Sequence, residues 1–128
     1  MIGQFTLRPR RGTFDLRDVH AFFDLHPYTA RDPIEPDVYH VCGDNATLRR
    51  VVEHRRRDTH NLSMPFSGCL VVMEPKAVTV NQYCKPSHRE NCRPFVEWFL
   101  KKFRCRVEDP QGSEVAGDPG EILDKLYG

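Results

Sequence analysis

Cys84, His88 and Cys92 follow one another at four-residue spacing, and Cys69 stands upstream of them. Thiolates and neutral imidazoles are the ligands zinc prefers, and three cysteines with one histidine make an accepted tetrahedral set. Two short apolar runs, Cys69 to Glu74 and Ala77 to Tyr83, flank Pro75-Lys76 and read as a hairpin. With those two residues at the tip, Met73 faces Val78, Val71 faces Val80 and Cys69 faces Gln82. Side chains alternate along a strand, so Cys84 shares the sheet face of Cys69, diagonally across by about 7 Å. His88 and Cys92 fall on one face of the helix that follows. The expectation is that Cys69, Cys84, His88 and Cys92 gather at one end of the sheet and can hold zinc. Against that, there is no C-x-x-C pair, and free cysteine packs as a small apolar side chain. Packing therefore ranks above metal binding and above a reactive thiol, and no cofactor is expected. Cys105 begins the strand after the helix, at the opposite end of the sheet.

The second group with chemical reach is basic. Arg49, Arg50, Arg55, Arg56 and Arg57 crowd a segment that offers only Glu53 and Asp58 in return. Arginine clusters neutralise phosphates or carboxylates, and a single-stranded nucleic-acid surface would interleave aromatic rings for stacking. The segment has none; Tyr28, Tyr39 and Phe66 are the nearest. Arginine and tyrosine dominate the energetics of protein interfaces. The candidate partner-binding set is therefore Arg49, Arg50, Arg55, Arg56, Arg57, Tyr28 and Tyr39. The acidic end of the chain carries Glu108, Asp109, Glu114, Asp118, Glu121 and Asp124 against Lys125. It can attract the basic middle or face a partner of its own.

Histidine supplies the third group. His20 and Asp24 lie one helical turn apart and form the one acid–imidazole pair legible from spacing. Single histidines on helices are more often packing or surface residues than general bases. No nucleophile elbow, phosphate-cradling glycine loop or H-E-x-x-H motif occurs. Catalysis ranks below binding on these absences, and no catalytic residue is assigned.

The elements that must position these groups follow from periodicity. Gln4 to Arg8 alternates around Phe5 and Leu7 as a strand that Pro9 stops. Leu16, Val19, Phe22 and Phe23 form the stripe of a helix capped by Thr13 or Asp15 and ended by Pro27. Residues 28–36 read as loop, and Val38 to Cys42 as a short strand. Asp44-Asn45 caps a second helix, whose narrow stripe is Leu48, Val51 and Val52, with Arg55 on the same line. A third helix begins between Ser87 and Asn91, with Ser87 and Glu90 as a capping box, and its core face is Cys92, Phe95, Val96, Phe99 and Phe103. Cys105 to Val107 is a strand, Asp109 to Gly112 a turn, and Asp118-Pro119 opens a closing helix.

At 128 residues, 39% hydrophobic and 29% charged, with a net charge of +1, the composition is that of one globular domain spanning 1–128. The order of elements predicts an α+β domain, a mostly antiparallel sheet with helices on one face. A ferredoxin-like split β-α-β arrangement is its leading topology. Five cysteines without regular spacing, no apolar run long enough to span a bilayer and no signal-like N-terminus point to the cytoplasm. The expected function is a small non-enzymatic protein that binds another protein, of the inhibitor or immunity kind. The alternatives are a zinc-stabilised domain and a nucleic-acid binder acting through Arg49 to Arg57.

Overall fold

A computed structural model describes residues 4–57, 68–82 and 89–127. In chain order it contains β1 (Gln4–Pro9), α1 (Leu16–Leu25), β2 (Thr29–Arg31), β3 (Val38–Val41), α2 (Asn45–Arg57), β4 (Cys69–Glu74), β5 (Ala77–Gln82), α3 (Arg89–Lys102), β6 (Cys105–Glu108), β7 (Glu114–Val115) and α4 (Pro119–Tyr127). The strands form one sheet in the order β2-β3-β4-β5-β1-β6-β7, with every neighbouring pair antiparallel. The domain is α+β.

The hairpin has the register expected from its tip, with Met73 opposite Val78, Val71 opposite Val80 and Cys69 opposite Gln82. Antiparallel pairing throughout makes β1 and β4 parallel with β5 between them, and β5 and β6 parallel with β1 between them. Those four strands with α1 and α3 have the order of a split β-α-β pair. The sheet extends past it on both sides, because β2, β3 and α2 enter between α1 and β4, and β7 and α4 follow β6. Two strands fall where no strand was expected. β2 breaks into the proline-rich stretch because Arg31 pairs with Tyr39, and β7 pairs Glu114 with Glu108 beyond the turn at Asp109. Neither has the apolar alternation that makes a strand visible; tertiary pairing sets both.

The core lies on one face. Tyr39, Val71, Val80 and Phe5 line up across four adjacent strands, and all four are fully buried. Val19 and Phe23 of α1, Phe95, Val96 and Phe99 of α3, and Ile122, Leu123 and Leu126 of α4 close over them. Phe23 meets Tyr39 and Phe95 at 5.2 and 5.5 Å between ring centres, and Trp98 stacks on Phe22 at 4.3 Å.

At α1, α2 and α4 the helix caps are among those the sequence offers, and the Ser87 cap expected for α3 lies outside the described residues. Asp15 accepts from the Arg17 N–H, Asp44 from Thr47 and Asp118 from Glu121. Each satisfies a first-turn donor that would otherwise lack a partner. The one-face arrangement of helices describes α1, α3 and α4. α2 takes the other face, because His40, which it meets through Arg55 and Asp32, alternates with the core-facing Tyr39 and Val41. Its own apolar contacts, Val51 and Leu48 with Cys42, form a second small cluster.

Candidate functional site

Strand β3 carries the polar organisation of the domain, because its alternate residues serve two networks on opposite faces. The chain neighbours Arg31 and Asp32, at the end of β2, and Tyr39 and His40, in β3, form two pairs, with Arg31 opposite Tyr39 and the Asp32 N–H donating to the Val38 carbonyl. One residue of each pair works on the α1 side and the other on the α2 side.

On the α2 side Asp32, His40 and Arg55 are all buried, at 5%, 3% and 1% exposure. Asp32 Oδ1 accepts from His40 Nε2 at 2.8 Å and from Arg55 Nε at 2.7 Å. Its Oδ2 accepts from Arg55 Nη2 at 2.9 Å and from the backbone N–H groups of Ile34 and Glu35 at 3.0 and 2.8 Å. An ionised carboxylate only accepts, so His40 carries its proton on Nε2. Burial alone would push the Asp32 carboxyl up. The two-pronged Arg55 guanidinium, the Glu35 and Ile34 amides and His40 outweigh it and hold the carboxyl well below the usual range. Burial lowers His40 from its ordinary value despite the bond to Asp32, so the imidazole stays neutral.

The network fixes α2 to the loop between β2 and β3. It also sets a pH dependence. His40, neutral in the fold, titrates near 6.5 once exposed. Its contribution is complete above that pH and is lost as the pH falls below it. Half-buried His26 is shifted the same way by burial. The Asp32 contribution is complete above its ordinary value near 3.8 and declines below it. Urea midpoints are therefore expected to fall in two stages on acidification. His40→Gln, which keeps a donor near Asp32, should shrink the first stage and leave the second; an unchanged profile would show that His40 does not set it.

On the α1 side Tyr39 is fully buried, yet its hydroxyl reaches a polar edge. It donates to Asp24 Oδ1 at 2.6 Å and accepts from Arg31 Nε at 2.8 Å, with His20 Nδ1 at 2.9 Å. His20 Nε2 lies 3.3 Å from Asp37. The His20 and Asp24 pair read from helix spacing thus meets at one phenol. Arg31 holds the Asp24 carboxyl below its usual range. Burial, followed by the bond to Asp24, pushes the Tyr39 phenol above its own. Neither group titrates near neutrality, where a general acid or base works best. Their evident role is to tie α1 to β2 and β3.

The sequence-derived candidates separate clearly. Arg55 and Tyr39 are buried in the two networks and withdrawn from any partner surface. Arg49, Arg50, Arg56 and Arg57 are exposed along α2. Tyr28 is 45% exposed, with φ 55°, and its carbonyl accepts the Cys42 N–H at 2.9 Å. The acidic end of the chain pairs with β1 and β6, through Arg8 and Arg106 to Glu108 and through Arg10 to Glu114. Arg49, Arg56 and Arg57 form no ion pair among the described residues. Arg49 and Arg56 border an open depression of about 280 Å³ with Ala30, Leu48, Val52 and Glu53.

Of the four metal candidates, Cys69 and Cys92 meet, with their Sγ atoms 3.1 Å apart in the core and Tyr127 Oη 3.7 Å from Cys92 Sγ. Cys84 and His88 lie outside the described residues. Among the described residues no group of three or more His, Cys, Asp or Glu side chains is placed to hold a metal ion. Cys105 donates to the Phe99 carbonyl, and burial pushes its thiol up to about 11. Burial, with Asp44 adding to it, does the same to Cys42. Neither thiol is ionised near neutrality, the condition for reactivity. Among the described residues no helix is long and apolar enough to cross a membrane.

Sequence reasoning missed the Asp32, His40 and Arg55 network. Its signal was present in Arg55, a charged residue on the apolar stripe of α2, one turn after Val51. A charge in that position needs a buried counter-charge, and Asp32 is that counter-charge. Comparison with protein-family models, curated proteins and solved structures finds no match for this chain.

Proposed function

We propose that this protein is a non-enzymatic interaction protein, of the inhibitor or immunity kind, that binds an acidic protein surface through α2. The observation that carries the reading is an arginine face that forms no ion pair among the described residues, beside an apolar depression. Leu48, Val52 and Ala30 supply apolar area, Arg49 and Arg56 edge it, and Arg57 continues the charge. An apolar centre with a polar rim is the anatomy of a protein interface, and arginine is among its strongest contributors. The buried Arg55–Asp32 fork holds the helix behind that face, so little ordering cost remains at binding. Among the described residues no aromatic ring lines the depression for a base to stack on, which favours protein over nucleic acid. A cytoplasmic setting accords with this reading, since it keeps the buried thiols reduced.

The test is capture from native lysate with the wild-type chain and with Arg49→Glu/Arg56→Glu. An acidic protein retained by the first and lost by the second is expected. Identical captured sets would contradict the proposal, and recovery of nucleic acid alone would transfer the face to the other polyanion.

A second reading has one observation in its favour. The Cys69 and Cys92 sulfurs, named from spacing as zinc ligands, lie 3.1 Å apart. Two thiolates on one tetrahedral zinc stand about 3.8 Å apart, given Zn–S bonds of about 2.3 Å. A zinc-stabilised domain would complete the set with Cys84 and His88. Protein purified without an affinity tag should then carry close to one equivalent of zinc and lose stability with a chelator. Less than about half an equivalent excludes a structural site, since such sites bind tightly.

A further inference from the structure

A second pair of arginines forms no ion pair among the described residues, and it lines a cavity on a different part of the surface. Where β1 ends and α3 turns into β6, Pro9, Arg10, Arg11, Thr13, Phe14, Phe103 and Arg104 enclose about 360 Å³. That volume lies within the range of small-molecule pockets. The walls are held by the backbone. The Arg10 N–H donates to the Arg104 carbonyl at 2.8 Å, Pro9 pairs with Cys105, and the Phe14 N–H donates to the Pro75 carbonyl at 2.8 Å. Gly12, at φ +65°, turns the chain between the two sides in a conformation other residues rarely adopt.

The charges are unequal. Arg10 is matched by a bidentate bond to Glu114, at 3.1 and 2.8 Å. Arg11 and Arg104 form no ion pair among the described residues. Two unmatched guanidinium groups beside one cavity repel each other, and a doubly charged anion relieves that repulsion while satisfying two planar donor forks. The other wall is aromatic. Phe14 is buried and Phe103 half-buried, their ring centres 5.0 Å apart, with Phe14 edge-on to Phe99 at 5.4 Å behind. Phe103 is thus a half-buried ring in the lining of a cationic cavity, against which a flat group can pack.

We infer that this cavity binds a small organic phosphate carrying a planar ring, of the nucleoside monophosphate class. Arg11 and Arg104 take the phosphate, and the Phe103 side takes the ring. The site is separate from the arginine face of α2, so each reading can fail without the other.

The test is calorimetric titration of the full chain at low salt with AMP, inorganic phosphate and adenosine. AMP is expected to bind saturably and more tightly than either of the other two. Arg11→Gln/Arg104→Gln, two exposed positions, should weaken AMP at least about tenfold, since each charge-assisted bond lost is worth on the order of that factor. Its thermal melt should match the wild type. Arg49→Gln/Arg56→Gln on α2 should leave AMP binding unchanged. The proposal is overturned by an absence of saturable AMP binding or by equal binding in the Arg11/Arg104 variant. It is equally overturned if phosphate or adenosine binds as tightly as AMP, or if the α2 variant loses AMP.

Discussion

Asp32→Ala is expected to lose about 3–5 kcal/mol of folding stability, the cost of leaving a buried charge without its partner. The change removes the acceptor of five hydrogen bonds at once. Arg55, at 1% exposure, then keeps its charge inside the protein, because a guanidinium does not deprotonate. A domain has only about 5–15 kcal/mol in total, so the variant should unfold at much lower urea and sit near its limit at room temperature. The double variant Asp32→Ala/Arg55→Met separates charge from packing. It removes the stranded cation and retains much of the Arg55 stem volume, so its loss should be smaller than the sum of the two single losses. Simple additivity in urea denaturation would show that the two side chains do not act as a pair.

The second large effect is expected at the surface. Arg49→Glu/Arg56→Glu should leave the unfolding free energy from urea denaturation within about 0.5 kcal/mol of wild type, since both side chains are exposed and unpaired among the described residues. Binding to an acidic partner should fall by more than about a hundredfold, because reversal both removes attraction and places like charges together. The two variants test opposite sides of one helix. Asp32→Ala acts through Arg55 and loosens α2, whereas the double reversal leaves α2 in place and changes only what it presents. Rising salt should weaken the wild-type complex and affect the residual binding of the reversed variant far less.

Much of the fold was legible because it rests on local pattern. The hairpin register followed from one assumption about Pro75-Lys76, and the caps at Asp15, Asp44 and Asp118 followed from residue type. The core faces of α1 and α3 followed from their apolar spacing. β2 and β7 were not legible, since three and two residues without alternation become strands only when a neighbour pairs with them. The side of the sheet that α2 takes was also hidden, because its stripe is narrow and its main anchor is a charge. For the site, residue type found the arginines but not their division. Arg55 differs from Arg56 only in the direction it faces, and that decides burial against exposure. Tyr39 misled for a similar reason. Tyrosine is common at interfaces, but this one gives its ring to the core and its hydroxyl to Asp24.

A photo-crosslinking residue at Val52 reports most directly on whether α2 is the face that meets a partner. Val52 sits in the depression between Arg49 and Arg56, and Lys76, exposed at the hairpin tip, serves as the control position. Irradiation in native lysate is predicted to give a covalent adduct with an acidic protein from position 52, lost when Arg49→Glu/Arg56→Glu is added, and no such adduct from position 76. Adducts of equal yield from both positions, or none from position 52, would contradict the account.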